Sequence, residues 1–121
     1  MLINLSNHPS SLWSGEQISE ANSRFGNIVD LPFPAIDPFG DETYIDLLVD
    51  KYLTRINGLF EAMNLTDCTV HLMGEMNFTY ALVNALKNKG IRCVASTTVR
   101  NTTNSHGLRV SEFRFVRFRE Y

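Results

Sequence analysis

Side chains able to move a proton or grip an anion gather in three short segments: Asn7-His8-Pro9-Ser10-Ser11, Gly74-Glu75-Met76-Asn77 and Ser96-Thr97-Thr98-Val99-Arg100. The His8 imidazole is of a type that can give or take a proton. The hydroxyls, the amides and the Arg100 guanidinium are donors of the kind that hold phosphate oxygens. Together they make a phosphate-handling set in kind, with Thr79 following the second segment. Neither GxGxxG nor GxxxxGK[ST] is present, so a dinucleotide or nucleoside triphosphate held in the usual way is not expected. Two readings stand for His8, proton transfer or a cap on the neighbouring helix, and two for Glu75, a general base or a partner of a helix N-terminus. His71 sits in an apolar run and reads as a hydrogen-bonded core or interface residue, and His106 as a solvated loop residue or part of a lid. Serine-nucleophile chemistry is not expected, because no GxSxG elbow occurs and no Asp is spaced to orient His8.

The elements that must position these segments follow from hydrophobic periodicity. Leu2 to Ser6 reads as a short apolar strand broken by Pro9. Ser14-Gly15-Glu16-Gln17 fits a capping box for a helix carrying Ile18, Ala21 and Phe25, with Gly26 as its stop. Asn27 to Phe33 reads as a second strand, and Pro32, Pro34 and Pro38 make the next connection extended. Asp41 or a neighbouring acid caps a long helix with Tyr44, Ile45, Leu48, Val49, Tyr52 and Ile56 on one face, ending at Gly58. Cys68 to Met73 is a strand, Phe78 to Lys89 a helix closed by Gly90, and Ile91 to Thr98 another strand. The polar run Asn101–Gly107 predicts a mobile hairpin tip before a last strand, Val110 to Arg119.

Strands alternating with helices predict an α/β, Rossmann-like three-layer domain. Its sheet is mainly parallel, in order 2-1-3-4-5, with an antiparallel C-terminal hairpin at one edge. In such a sheet ligands gather beyond the carboxyl ends of the strands, where the order reverses, which is where the three polar segments fall.

The 121 residues suit a single domain, and 44% apolar with 20% charged residues is a globular composition. No apolar run is long enough to span a bilayer and the start lacks signal-peptide character, so a cytoplasmic protein without membrane partners is expected. Cys68 and Cys93 lack CxxC or His-paired spacing, so neither a metal site nor a cofactor is expected, and both read as small buried hydrophobes. From residue 92 onward six arginines face two acids, a balance of +4, whereas five bases and eleven acids leave the rest at −6. Arginine without lysine suits forked bonding to phosphate or carboxylate, or buried ion pairs. A duplex-binding surface would be more basic overall, so duplex nucleic acid is not an expected partner.

Two of these segments carry a resemblance. Leu5-Ser6-Asn7-His8-Pro9-Ser10-Ser11-Leu12-Trp13 resembles the opening of one of the small CRISPR-associated, CARF-related ring nuclease families, a strand ending in Ser/Thr-Arg-His-Pro-Gly with a Trp soon after. The run from Val70 through Gly74-Glu75-Met76-Asn77 to Leu86, followed by Lys89-Gly90-Ile91, resembles that family's strand, loop and helix. Asn7 stands where that family has Arg, and Ser10 where it has Gly. The resemblance implies a homodimer that binds cyclic oligoadenylate and cuts it without a metal, by attack of a ribose 2′-hydroxyl on the adjacent phosphate. It implies catalytic roles for His8, Ser11 and Arg100, with Arg100 or an arginine of a second subunit standing in for the one missing at Asn7. Asn7, Ser10, Gly74, Glu75, Met76, Asn77, Thr79, Ser96, Thr97 and Thr98 become ligand-binding candidates. Two other readings remain: a nucleotide sensor that has lost cutting, and a structural or partner-binding protein whose Arg-rich last strand mediates assembly.

Overall fold

A computed structural model describes the whole chain, Met1–Tyr121. Strand β1 (Leu2–Ser6) is buried along its length, as a strand flanked on both sides and covered on both faces must be. Pro9 ends its pairing, and Ser10–Leu12 form one 3-10 turn. Helix α1 (Gly15–Phe25) starts where the Ser14 hydroxyl accepts the Gln17 N–H, and stops at Gly26, whose φ of 87° glycine tolerates best.

Strand β2 (Ile28–Asp30) is shorter than the expected Asn27–Phe33, because Pro32 and Pro34 have no N–H for a ladder. Helix α2 (Glu42–Ala62) begins at Asp41, whose carboxylate accepts the Tyr44 N–H. It runs through Gly58 rather than ending there. One interior glycine costs about 1 kcal/mol, and Leu59 and Phe60 beyond it pack against the core and offset that.

Strand β3 (Thr69–Met73) leads into helix α3 (Met76–Asn88), which starts before the expected Phe78 because Glu75 caps it. Strands β4 (Arg92–Ser105) and β5 (Leu108–Glu120) form the antiparallel edge. The sheet order is β2-β1-β3-β4-β5, parallel except for the last pair.

The hairpin tip is a correction. Its ladder continues through Asn104↔Arg109 and Ser105↔Leu108, so Asn101–Ser105 is strand and only His106 and Gly107 turn. Their φ values of 52° and 75° are the left-handed pair that a two-residue turn between twisted strands requires. The last strand therefore starts at Leu108, and β4 outlasts the expected Thr98.

Alternation along β1 divides the core. Ile3 and Leu5 face α2 and α3 with Val70, Leu72, Phe78, Leu82 and Leu86, while Leu2 faces α1 with Ala21, Val94, Phe115 and Phe118. Cys68 and Cys93 are free and buried, and burial pushes both thiols up, Cys93 to about 11. No helix is long and apolar enough to cross a membrane.

What positions the site is a parting of strands. β3 and β4 pair only at Thr69↔Arg92, Val70↔Cys93 and His71↔Val94. Beyond that point β4 follows β5, with an irregular register between Thr97 and Thr98, and a gap opens at the carboxyl end of β3. The Tyr121 hydroxyl donates to the freed Leu72 carbonyl at 2.6 Å, and the Met73 thioether accepts the Ser96 N–H at 3.3 Å.

Candidate functional site

At this parting lies a cleft of about 410 Å³, lined by Ser6, His8, Leu12, Trp13, Gln17, His71, Met73, Ser96, Thr98 and Phe113. β1, β3 and β4 supply its floor, the segment after β1 and the first turns of α1 one wall, and β5 the other. No carboxylate, lysine or arginine lines it. His8 is exposed at its lip, while His71 is 2% exposed at its floor.

A chain of hydrogen bonds runs beneath the floor. Asp30, Asn4 and His71 are direct register neighbours on three adjacent strands. The Asn4 amide nitrogen donates to Asp30 Oδ1 at 2.8 Å and to the His8 carbonyl at 2.9 Å. Both partners only accept, so the nitrogen must face them and Asn4 Oδ1 must face His71 Nδ1, 2.9 Å away. His71 therefore carries its proton on Nδ1. Its Nε2 is left with a lone pair, 3.1 Å from Ser96 Oγ, and the serine hydroxyl donates to it.

Electrostatics agree with this assignment. Burial, and then the charge of nearby His8, push the His71 imidazole down to about 4, so it is neutral at physiological pH. Burial alone would raise the Asp30 carboxyl, but hydrogen bonds from Ser10 and Asn4 outweigh it and hold the group below its ordinary value. The imidazole is framed edge-on by Trp13, at 5.1 Å and 78°, and by Phe118, at 5.5 Å and 84°.

The same network fixes the segment that carries His8. The His8 carbonyl accepts from Asn4 Nδ2 and from Trp13 Nε1 at 3.1 Å, and the Ser6 hydroxyl lies 3.0 Å from it. Ser10 donates to Asp30 through its backbone N–H at 3.0 Å and its hydroxyl at 2.7 Å. The backbone of the lip is thus tied to the sheet, while the His8 ring stays free at the surface.

Of the residues singled out from the sequence, His8, Ser96 and Thr98 come together in this cleft. Ser10 is committed to Asp30, Ser11 is exposed on the 3-10 turn, and Asn7 lines a separate pocket with Pro9, Asp30 and Phe33. Arg100 lies out along β4, donating to Ser111 Oγ at 3.0 Å with its guanidinium 5.9 Å over Phe113. The Thr97 hydroxyl donates to the Arg117 carbonyl. Gly74 is packed against the Phe33 ring, which occupies the space a Cβ would need. Met76 is exposed, and Thr79 Oγ1 is buried without a partner.

Glu75 and Asn77 line a different groove, of about 360 Å³, with Asp37, Asp41, Glu42 and Asp46. There the Glu75 carboxylate accepts the Asn77 and Phe78 N–H groups at 3.0 and 2.8 Å, capping α3. No three His, Cys, Asp or Glu side chains are grouped to hold a metal ion.

No motif in the sequence singles out Asn4, and the reading of His71 as a hydrogen-bonded core or interface residue fits its burial and hydrogen bonds without revealing its place in the cleft floor. The available signal was one polar side chain at matching depth in each of two apolar strands, Leu-Ile-Asn-Leu and Val-His-Leu. A buried polar group needs a partner, and the two are each other's.

The chain matches the model of the uncharacterized protein MJ1673 family over residues 1–119 and belongs to that family. No curated protein and no solved structure matches it.

Proposed function

We propose that this member of the MJ1673 family binds a cyclic oligoadenylate in the cleft at the carboxyl ends of β1, β3 and β4, and cleaves it as a CRISPR-associated ring nuclease in the cytoplasm, in antiviral defence. The observation that carries the reading is the exposed His8 ring, its backbone tied down, at the lip of an aromatic-walled cleft at the sheet's switch point. A ribose 2′-oxygen attacks its own phosphorus and gives up its proton; the bond to the 5′-oxygen breaks and that oxygen takes a proton. A linear product with a 2′,3′-cyclic phosphate and a 5′-hydroxyl results. His8 is the exposed imidazole of the cleft and the group placed to transfer those protons. Trp13 and Phe113 offer flat faces to bases. A two-fold homodimer suits a symmetric ring, and Val99, Leu108 and Val110, exposed on the β4–β5 ribbon, offer apolar surface for assembly.

Incubation with cyclic tri-, tetra- and hexa-adenylate in EDTA, with products separated by chromatography, tests the reading. Linear products are expected, and His8→Ala should slow their formation at least about tenfold without shifting the urea midpoint. Absence of binding to every ring overturns it. One observation favours a second reading, a sensor that binds without cutting: no lysine or arginine lines the cleft to neutralise a charged transition state. Calorimetric binding with no linear product selects it.

A further inference from the structure

We infer that Ser96 Oγ is an obligate hydrogen-bond acceptor on the cleft floor, and that the cleft therefore selects an amino-bearing nucleobase, adenine or cytosine, over its keto counterpart. From the reading above the inference takes only that the ligand is a nucleotide.

The Asp30 carboxylate lies 2.8 Å from the Asn4 amide nitrogen. A carboxylate and the His8 carbonyl can only accept, so the Asn4 amide has one orientation. That orientation gives His71 one tautomer, with the proton on Nδ1. The tautomer in turn leaves Nε2 as an acceptor, and Ser96 is the hydroxyl beside it, at 3.1 Å. Met73 Sδ is also 3.1 Å from Ser96 Oγ, but a thioether is a much weaker acceptor than an imidazole nitrogen. The single serine proton is thus directed at His71, and what Ser96 presents to the cleft is lone pairs.

A lone pair on the floor of a cleft whose walls carry four apolar side chains beside Gln17 and Thr98 chooses its ligand. Leu12, Trp13, Met73 and Phe113 form a slot suited to a flat heterocycle, and Phe113 is 67% exposed there. An exocyclic amino group donates to Ser96 Oγ. A keto oxygen at the same place meets lone pair with lone pair, unless the serine turns its proton outward. That turn leaves His71 Nε2 buried without a donor, which is the costly case for a polar group. Phosphate oxygens are excluded from this floor for the same reason and belong nearer His8.

The test is calorimetry of the full chain with AMP against IMP and with CMP against UMP, pairs that differ by amino for keto. The amino member of at least one pair should bind about tenfold tighter or more, and that pair identifies the base. Ser96→Ala should abolish the preference, and Ser96→Thr, which keeps a hydroxyl, should restore it. Equal affinities within both pairs, a preference for a keto member, discrimination surviving in Ser96→Ala, or no binding of any of the four at millimolar concentration each overturn the inference. An AMP preference with no binding of any cyclic ring removes the ring nuclease reading and keeps this one. Ring cleavage with equal AMP and IMP affinity does the reverse.

Discussion

Met73 and Glu75 are two residues apart, yet they line clefts of opposite character. Met73 borders the slot above His71, where no carboxylate is present, and Glu75 borders a groove with four other acids, Asp37, Asp41, Glu42 and Asp46. The general rule that anions gather at strand carboxyl ends and helix N-termini applies to both places before side chains are considered. Side chains then separate them. In the groove, Glu75 already takes the free N–H groups of α3, and the surrounding acids repel a phosphate. In the slot, the buried polar groups satisfy one another, and what stays open is the exposed His8 imidazole, the outward-facing lone pairs of Ser96 and the side chains of Gln17 and Thr98. Under the proposed function, selectivity on this rim comes from which donors are already occupied.

The comparison breaks most directly at Asn4. It is 1% exposed and joins Asp30, Ser6, His8 and His71. Asn4→Leu orphans the His71 Nδ1–H and weakens the hold on Asp30, so a loss of roughly 3–5 kcal/mol is expected in urea denaturation. Asp41→Asn in the groove should change stability little, because asparagine caps a helix about as well as aspartate. A small effect of Asn4→Leu would show that the buried chain is not what organises the slot.

Acid should discriminate next. The unfolded chain protonates histidine near 6.5, whereas buried His71 resists until about 4. Its contribution is complete above 6.5 and is lost as pH falls towards 4, on the order of 3 kcal/mol in all. Asp30, held below its ordinary value, adds stability that is lost at still lower pH, as its own carboxyl protonates. Denaturation midpoints at pH 7, 5.5 and 4 should show the first loss in the native chain and a flatter profile in His71→Gln. An unchanged slope in that variant would reassign the acid sensitivity to other groups.

What the amino-acid sequence alone reveals divides along the same line. The topology was legible because each apolar run declares its own period, and the order 2-1-3-4-5 follows from alternation and right-handed crossovers. His8 was legible because Pro9 must end β1 there. The floor was not, because Asn4 and His71 are 67 positions apart and meet only through strand register. The Asn101–Ser105 run misled for a related reason: its polarity suggests a loop, yet two-stranded ribbon outside the core needs no apolar face, and threonines favour strand.

A smaller effect sharpens the division at the loop between the two clefts. Gly74 stands in a segment whose resemblance implied a grip on a nucleotide backbone, but Phe33 fills the space beside it and packs edge-on to Phe78 at 5.4 Å and 87°. Gly74→Ala should destabilise by about 1–3 kcal/mol through overpacking. Its nucleotide affinity in the slot, measured by calorimetry well below the melting transition, should match the native value. Affinity lost beyond the loss of folded protein would return Gly74 to the binding site.

The smallest expected change is the most discriminating for Glu75. As a cap, its carboxylate accepts two backbone N–H groups, and Glu75→Gln keeps one oxygen to accept while losing the charge that favours a helix N-terminus. Stability should fall by less than about 1 kcal/mol, and Glu75→Ala by about 1 kcal/mol. As a general base, the same Gln substitution would leave stability alone and lower turnover by about a hundredfold or more, since an amide cannot take the proton. The two roles thus predict effects on different observables, urea midpoint in one case and product formation in the other. Because Glu75 opens onto the acidic groove rather than the slot that holds His8, the change should appear in the midpoint and be absent from turnover.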